Sequence, residues 1–221
     1  MISLSHVTKY YPTKVGKHYI LNDVTIEIPS DVNVGILGRN GAGKSTLLRM
    51  LGGIDFPNDG TISSNKSFSW PMALSGGFQG SMTGKQNVKF ICRIYGKDEF
   101  ETNEIIASVR NFSEIGDYFD MPIKNYSSGM KSRLSFGLSL SFDFDYLLID
   151  ETLSVGDSNF QKKSKEALIQ KIEKCSVLLV SHSMATLKDI CDAGIVVNGG
   201  ELNYYHDIND AIEKYNKLNE K

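Results

Sequence analysis

Gly38-Arg39-Asn40-Gly41-Ala42-Gly43-Lys44-Ser45-Thr46 is the stretch that decides the fold. It matches GxxxxGK[ST], the phosphate-binding loop, and its context is the one the motif needs: a strand before it and a helix after it. The preceding Val32–Leu37 (VNVGIL) is an apolar, β-rich run that reads as a buried strand, and the following KSTLLRML has apolar residues at helical spacing that stop at Gly52-Gly53. Glycines let the backbone wrap tightly, so that N–H groups and a helix N-terminus converge on phosphate oxygens. In such a loop Lys44 reaches the β- and γ-phosphates, and the Ser45 hydroxyl faces Mg²⁺.

Working outward, Val24–Ile28 (VTIEI) alternates as a half-buried strand does, whereas Tyr146–Ile149 (YLLI) and Val177–Val180 (VLLV) read as buried parallel strands. Two helices are expected between Gly84 and Ile115, one marked by Val88, Ile91 and Tyr95, the other by Ile105, Val109 and Phe112. A closing helix is expected over DINDAIEKYNKL. The alternation of Leu134, Phe136, Leu138, Leu140 and Phe142 with small and polar residues predicts a strand.

Three further groups carry chemistry. YLLI runs into Asp150-Glu151, a strand end that can place one carboxylate on Mg²⁺ and a second beside an attacking water. His182 follows the apolar run ending at Val180, where a histidine can meet a γ-phosphate or simply end a strand. Tyr126-Ser127-Ser128-Gly129-Met130 is a Ser/Gly turn; ahead of a helix, its hydroxyl and backbone N–H groups can also bind phosphate.

Composition narrows the rest. The chain has 221 residues, 41% hydrophobic and 23% charged, as an ordinary globular domain has. A net charge of -2 argues against a strong electrostatic grip on nucleic acid. Cys92, Cys175 and Cys191 share no metal-ligand spacing and read as reduced, mostly buried thiols. MISLSHVTKYYPTKVGK has no signal-peptide core, and no run approaches the ~18 apolar residues of a membrane span. A membrane role therefore calls for a partner.

In their order along the chain these motifs resemble the nucleotide-binding subunits of ABC transporters, over nearly the whole sequence. The resemblance implies an α/β fold of P-loop NTPase type: a RecA-like core with a mainly parallel sheet, N-terminal antiparallel strands and a helical signature subdomain. A single domain over residues 1–221 is expected, with the helical subdomain inserted at roughly 84–140. The resemblance implies ATP and Mg²⁺ as cofactors, Gly38 to Thr46 as the P-loop, and Ser127, Ser128 and Gly129 as the signature. It further implies Ser45 and Asp150 on the metal, Glu151 as general base, Asp157 in the D-loop and His182 as the γ-phosphate switch. In this family the signature closes the nucleotide held by a second copy, so a homodimer is implied, and RLSFGLSLSF becomes a helix, against the periodicity.

The pattern departs from the family in three places. YSSGM stands where LSGGQ is usual, which removes a glutamine side-chain contact. Gln79, the candidate Q-loop glutamine and metal neighbour, lies only four residues before Thr83, and a loop surface residue is the other reading. Tyr11 is the expected base-stacking residue, with Tyr19 as its rival across the insertion PTKVGKHY.

SWPMALSGGFQGSMTGKQNVKF and YFDMPIKNYSSGMKSRLSFGLSLSFDFDY look like the ATP-binding subunits of capsular polysaccharide exporters, the KpsT type. That implies a separate polytopic permease and a peripheral place on the cytoplasmic face of the inner membrane. Relatives exporting O-antigen or teichoic acid share the YSSGM variant, and some of them carry a carbohydrate-binding domain that a chain of this length does not accommodate. Soluble ABC ATPases of DNA repair or translation usually carry tandem cassettes or coiled-coil insertions, and neither is present here. Tyr204 and Tyr205 are expected to be strand residues, with no direct glycan binding by this subunit.

Overall fold

The computed structural model describes residues 1–72, 78–150 and 157–219. The chain divides into two compact units, Met1–Pro71 with Phe144–Glu151 and Lys174–Lys221, and Met72–Asp143 with Thr152–Glu173.

The first unit holds two sheets. β1 (Ile2–Thr13), β2 (Gly16–Ile28) and β4 (Asp59–Ser64) form an antiparallel sheet of order β2-β1-β4. The second sheet, of order β5-β6-β3-β7-β8, contains β3 (Val34–Leu37), β5 (Tyr146–Asp150), β6 (Ser176–Val180), β7 (Ala193–Asn198) and β8 (Glu201–Tyr205). Its first four strands run parallel and β8 pairs antiparallel to β7. All four residues of β3 are buried, as in a central strand covered on both faces.

Alternation along β3 sorts its two faces. Val34 and Ile36 enter one core cluster with Leu47 and Leu48 of α1 (Lys44–Leu51) and with Leu4, Val7 and Leu21 of the antiparallel sheet. Gly35 faces the other way, toward Leu187 of α6 (Met184–Ile190) and Ile208 of α7 (Ile208–Asn219). Tyr204 and Tyr205 lie half-buried on the edge strand β8, with Tyr204 packed against the core cluster.

The second unit is helical: α2 (Gly84–Ile94), α3 (Glu99–Ser113), α4 (Ser128–Leu140) and α5 (Ser158–Ile172). Thr83 with Gln86, and Asp98 with Glu101, form capping boxes that start α2 and α3. Phe112 stacks on Phe136 at a 5.8 Å centroid separation and meets Phe160 edge-on at 5.6 Å, which joins α3, α4 and α5.

The strand predicted by alternation at Leu134–Phe142 is not formed; Leu134–Leu140 lies within α4. Leu134 through Ser139 are all buried, so the helix is enclosed on every side and its sequence has no polar stripe to reveal a 3.6-residue period. Alternation here is one of size. Gly137 admits the Phe112 ring, and the Ser139 hydroxyl donates to the Ser135 carbonyl at 3.0 Å.

Candidate nucleotide site

The loop after β3 is shaped by what surrounds it. A β-carbon at Gly38 would stand 2.7 Å from the Val197 carbonyl oxygen, so that turn passes directly over β7. Gly43, the N-cap of α1, has φ of 107°, and a β-carbon there would collide with Ile20 Cγ2. No side chain caps α1, so its first-turn N–H groups have no side-chain acceptor at the N-cap and can serve an anion. The Ala42 N–H donates to the Arg39 carbonyl at 3.0 Å and closes the turn.

Beside this loop is a cavity of about 250 Å³ lined by Ile20, Asn40, Gly41, Gly43, Lys44, Ser45, Thr46, Asp150 and Val180. Lys44 is only 8% exposed, and its ammonium donates to the Gly38 and Arg39 carbonyls at 2.7 and 3.1 Å. Asp150 ends β5 in parallel register with Val180 of β6, which sets both at the C-terminal rim of the sheet, where open α/β sheets bind ligands. Val180 lines the cavity; His182 follows two residues later, exposed, just before Ser183 caps α6. Tertiary structure thus brings together most of the loop with Asp150.

The metal expectation can be tested on donor chemistry. Ser45 and Asp150 present a hydroxyl and a carboxylate to one cavity, a hard-oxygen set of the kind that holds Mg²⁺ together with water and substrate phosphates. Among the described residues no cluster of three His, Cys, Asp or Glu exists. Glu151 lies outside the described residues.

The remaining candidates sit elsewhere. The Tyr11 ring is half-buried against the core, its hydroxyl donating to Asp55 at 2.8 Å and accepting from Arg49 at 3.3 Å. Burial raises the Asp55 carboxyl, but bonds from Lys9 and Tyr11 outweigh it and hold the group below its ordinary value. Tyr19 is 46% exposed and tilts against Tyr10 across the hairpin. Neither ring lines the cavity, although Ile20, next to Tyr19, does.

Gln79, Ser127, Ser128, Gly129 and Asp157 belong to the helical unit. Ser127 and Ser128 are exposed, and the Ser127 hydroxyl oxygen accepts from the Met130 N–H at 3.2 Å, capping α4. Gln79 is exposed, while its backbone is held by a buried residue that sequence reasoning passed over. Asn87 accepts from the Gln79 N–H at 2.8 Å and donates to the carbonyls of Gln79, Met82 and Thr83. Backbone bonds from Lys124 to Gly80 and from Ile123 to Met82 then tie this segment to the one leading into Tyr126. Tyr126 is buried, and its hydroxyl sits where a β-carbon on Gly84 would be, 2.5 Å away. The available signal was the polar residue at a helix-inward position, Asn87 beside Val88.

The profile of the ABC transporter family matches residues 21–154. The polysialic acid transport ATP-binding protein KpsT of Escherichia coli is 52% identical over 97% of this chain and 96% of its own. The capsule polysaccharide export ATP-binding protein CtrD of Neisseria meningitidis serogroup B is 47% identical over 99% of this chain and 100% of its own. A dimeric, post-hydrolysis structure of the ATP-binding cassette MJ0796 with ADP and Pi superposes at a TM-score of 0.74 and 20% identity. It covers 94% of this chain and 99% of its own, and establishes likeness of fold. A glycine loop folded over a strand–helix junction, inside a span matched by the family profile, has one reading: the chain belongs to the ABC transporter family.

Proposed function

We propose that this chain is the ATP-binding and ATP-hydrolysing subunit of an exporter of capsular polysaccharide, working with a separate membrane-spanning permease at the cytoplasmic face of the inner membrane. The observation that carries it is a conjunction. A phosphate-loop cavity shared by Lys44, Ser45 and Asp150 occurs in a chain about half identical, over nearly its full length, to named polysaccharide-export ATP-binding proteins. Among the described residues no helix is long and apolar enough to cross a membrane, which accords with a subunit that acts through a partner.

In this reading residues 1–221 form one ATPase domain whose helical part is inserted into the α/β core. Backbone N–H groups of Gly38 to Lys44 hold the β- and γ-phosphates, with Lys44 as the buried counter-charge. Ser45, Asp150 and Gln79 would hold Mg²⁺, which would neutralise developing phosphate charge. Glu151 accepts a proton from the attacking water, and His182 holds it and the γ-phosphate in line. Tyr11 stacks on the base. Ser127, Ser128 and Gly129 contact the nucleotide bound by a second copy, with Asp157 on the same partner-facing surface, so that two complete sites arise in a dimer.

Two measurements test the reading. Purified chain should release phosphate from ATP-Mg²⁺, and Lys44→Ala should not. In cells whose own capsule-export ATPase has been deleted, the wild-type chain with its permease should restore surface polysaccharide, and Lys44→Ala should leave it inside. Hydrolysis without any restoration of export would retain the ATPase and discard the capsule assignment.

A further inference from the structure

Three helices of the second unit meet at one charged junction. Arg133, on the second turn of α4, donates Nη2 to Asp157 Oδ2 at 2.7 Å, with Nη1 lying 3.8 Å from Glu114 Oε2. Lys163 of α5 donates to the other oxygen of Glu114 at 2.6 Å. The guanidinium lies over the Phe160 ring, 4.3 Å from its centroid, and the Arg133 side chain is only 17% exposed.

Asp157 is occupied from both sides by its own chain. Its Oδ1 accepts the Asn159 and Phe160 N–H groups at 3.1 and 3.0 Å, the N-cap of α5, while Oδ2 takes the arginine. The Phe160 N–H and the nearby Arg133 charge hold this carboxyl below its ordinary value. One oxygen therefore sets where α5 begins, and the other ties that beginning to the helix carrying Ser127–Gly129. With Asp157 64% exposed, the ion pair adds little to stability, so its geometric role is the larger one.

We infer that Arg133 is a positioning residue for ATP hydrolysis. It fastens Asp157 and the start of α5 to α4, so that the N-terminal end of α5 and the Ser127–Gly129 turn face a second copy's nucleotide as one rigid piece. Asp157 acts through this pair and not as a nucleotide ligand. The inference rests on the two-copy reading above and adds to it the element that makes the partner-facing surface a single body.

The test is a double-mutant cycle in the full-length chain. Arg133→Gln keeps a polar side chain but removes the guanidinium that lies over Phe160 and reaches Asp157, and Asp157→Asn keeps a capping oxygen on α5 while losing the charge. Each should lower kcat at least about tenfold, because small misplacements of partner-facing groups carry large rate penalties. The double variant should fall no more than about twofold further, since one interaction is removed only once. ATP affinity of the single chain should stay within about twofold of wild type throughout, and Arg133→Lys should recover part of kcat. Glu114→Gln, which disturbs the same junction without touching the 2.7 Å pair, should keep kcat within about twofold.

Arg133→Gln at near wild-type kcat, multiplying effects in the double variant, or single-chain ATP affinity falling in step with kcat would each overturn the inference. So would a Glu114→Gln loss equal to that of Arg133→Gln, which would mark the junction as merely structural. Light scattering of Glu151→Gln with ATP-Mg²⁺ separates the two layers. A chain that stays single sinks the two-copy reading and the inference with it, whereas a chain that pairs while Arg133→Gln keeps its kcat overturns only the inference.

Discussion

The Gly38–Thr46 loop and the Tyr126–Met130 turn are both polar turns at the start of a helix, yet they are finished in opposite ways. At the loop, Gly43 enters α1 through a left-handed conformation, no side chain caps the helix, and a cavity opens beside it. At the turn, Ser127 enters α4 through an extended conformation and caps the helix itself, with Ser127 and Ser128 exposed. A cavity beside uncapped N–H groups can hold an anion within one chain. A capped, outward-facing turn adds hydroxyl and backbone donors to a phosphate that something else already holds. In the function proposed above, the first region is a container and the second a cover.

That contrast sets the expected sizes of the mutational effects. The largest belongs to the container: Lys44→Ala should reduce ATP turnover by about a thousandfold and weaken ATP binding by the single chain, since it deletes a buried ammonium in the loop cavity that would face the bound phosphates. Turnover and affinity are both read by phosphate release and by equilibrium titration. Next, Glu151→Gln should lower kcat by about 10²–10⁴-fold with ATP binding retained, the pattern of a lost general base. A near-normal kcat in that variant removes Glu151 from the mechanism.

Ser127→Ala is the sharper probe of the cover. It costs α4 about 1 kcal/mol of capping and should lower kcat about tenfold, with single-chain ATP affinity unchanged. Combined with Glu151→Gln it should also raise the ATP concentration at which two copies associate, measured by light scattering. If affinity of the single chain fell as steeply as kcat, the turn would belong to its own chain's site and the comparison would fail. The smallest effect concerns the base. In the proposed function the loop holds phosphates by backbone groups and Tyr11 or Tyr19 stacks on the base; such stacking would contribute about 1–3 kcal/mol with little dependence on the base, so GTP should turn over within about tenfold of ATP. Rejection of GTP by several orders of magnitude would require a hydrogen-bonded base pocket.

The container was legible because everything it needs is local. VGIL, the glycines and KSTLLRML are consecutive, so one reading of spacing and turn chemistry yields β3, the loop and α1 together. The parallel strands β5 and β6 were legible for the same reason. The cover was not. Its helix reads as a strand by periodicity, because Ser135, Gly137 and Ser139 are buried small residues chosen for their neighbours' bulk. Asn87 and Arg133 look like ordinary polar positions until their partners, Gln79 and Asp157, are known.

By itself the sequence determined a phosphate loop between a buried strand and a helix, an acidic strand end, and membership of a family whose motifs occur in this order. Those are patterns of adjacent residues, and backbone stereochemistry with hydrophobic period is enough to interpret them. Tertiary structure alone decided that Asp150 shares a cavity with Lys44 and Ser45, that the Tyr11 hydroxyl is engaged by Asp55, and that Asp157 is held by Arg133. Each of those depends on which of several chemically equivalent partners the chain brings within about 3 Å, and hydrogen-bonding strength falls off too steeply for spacing along the sequence to predict it.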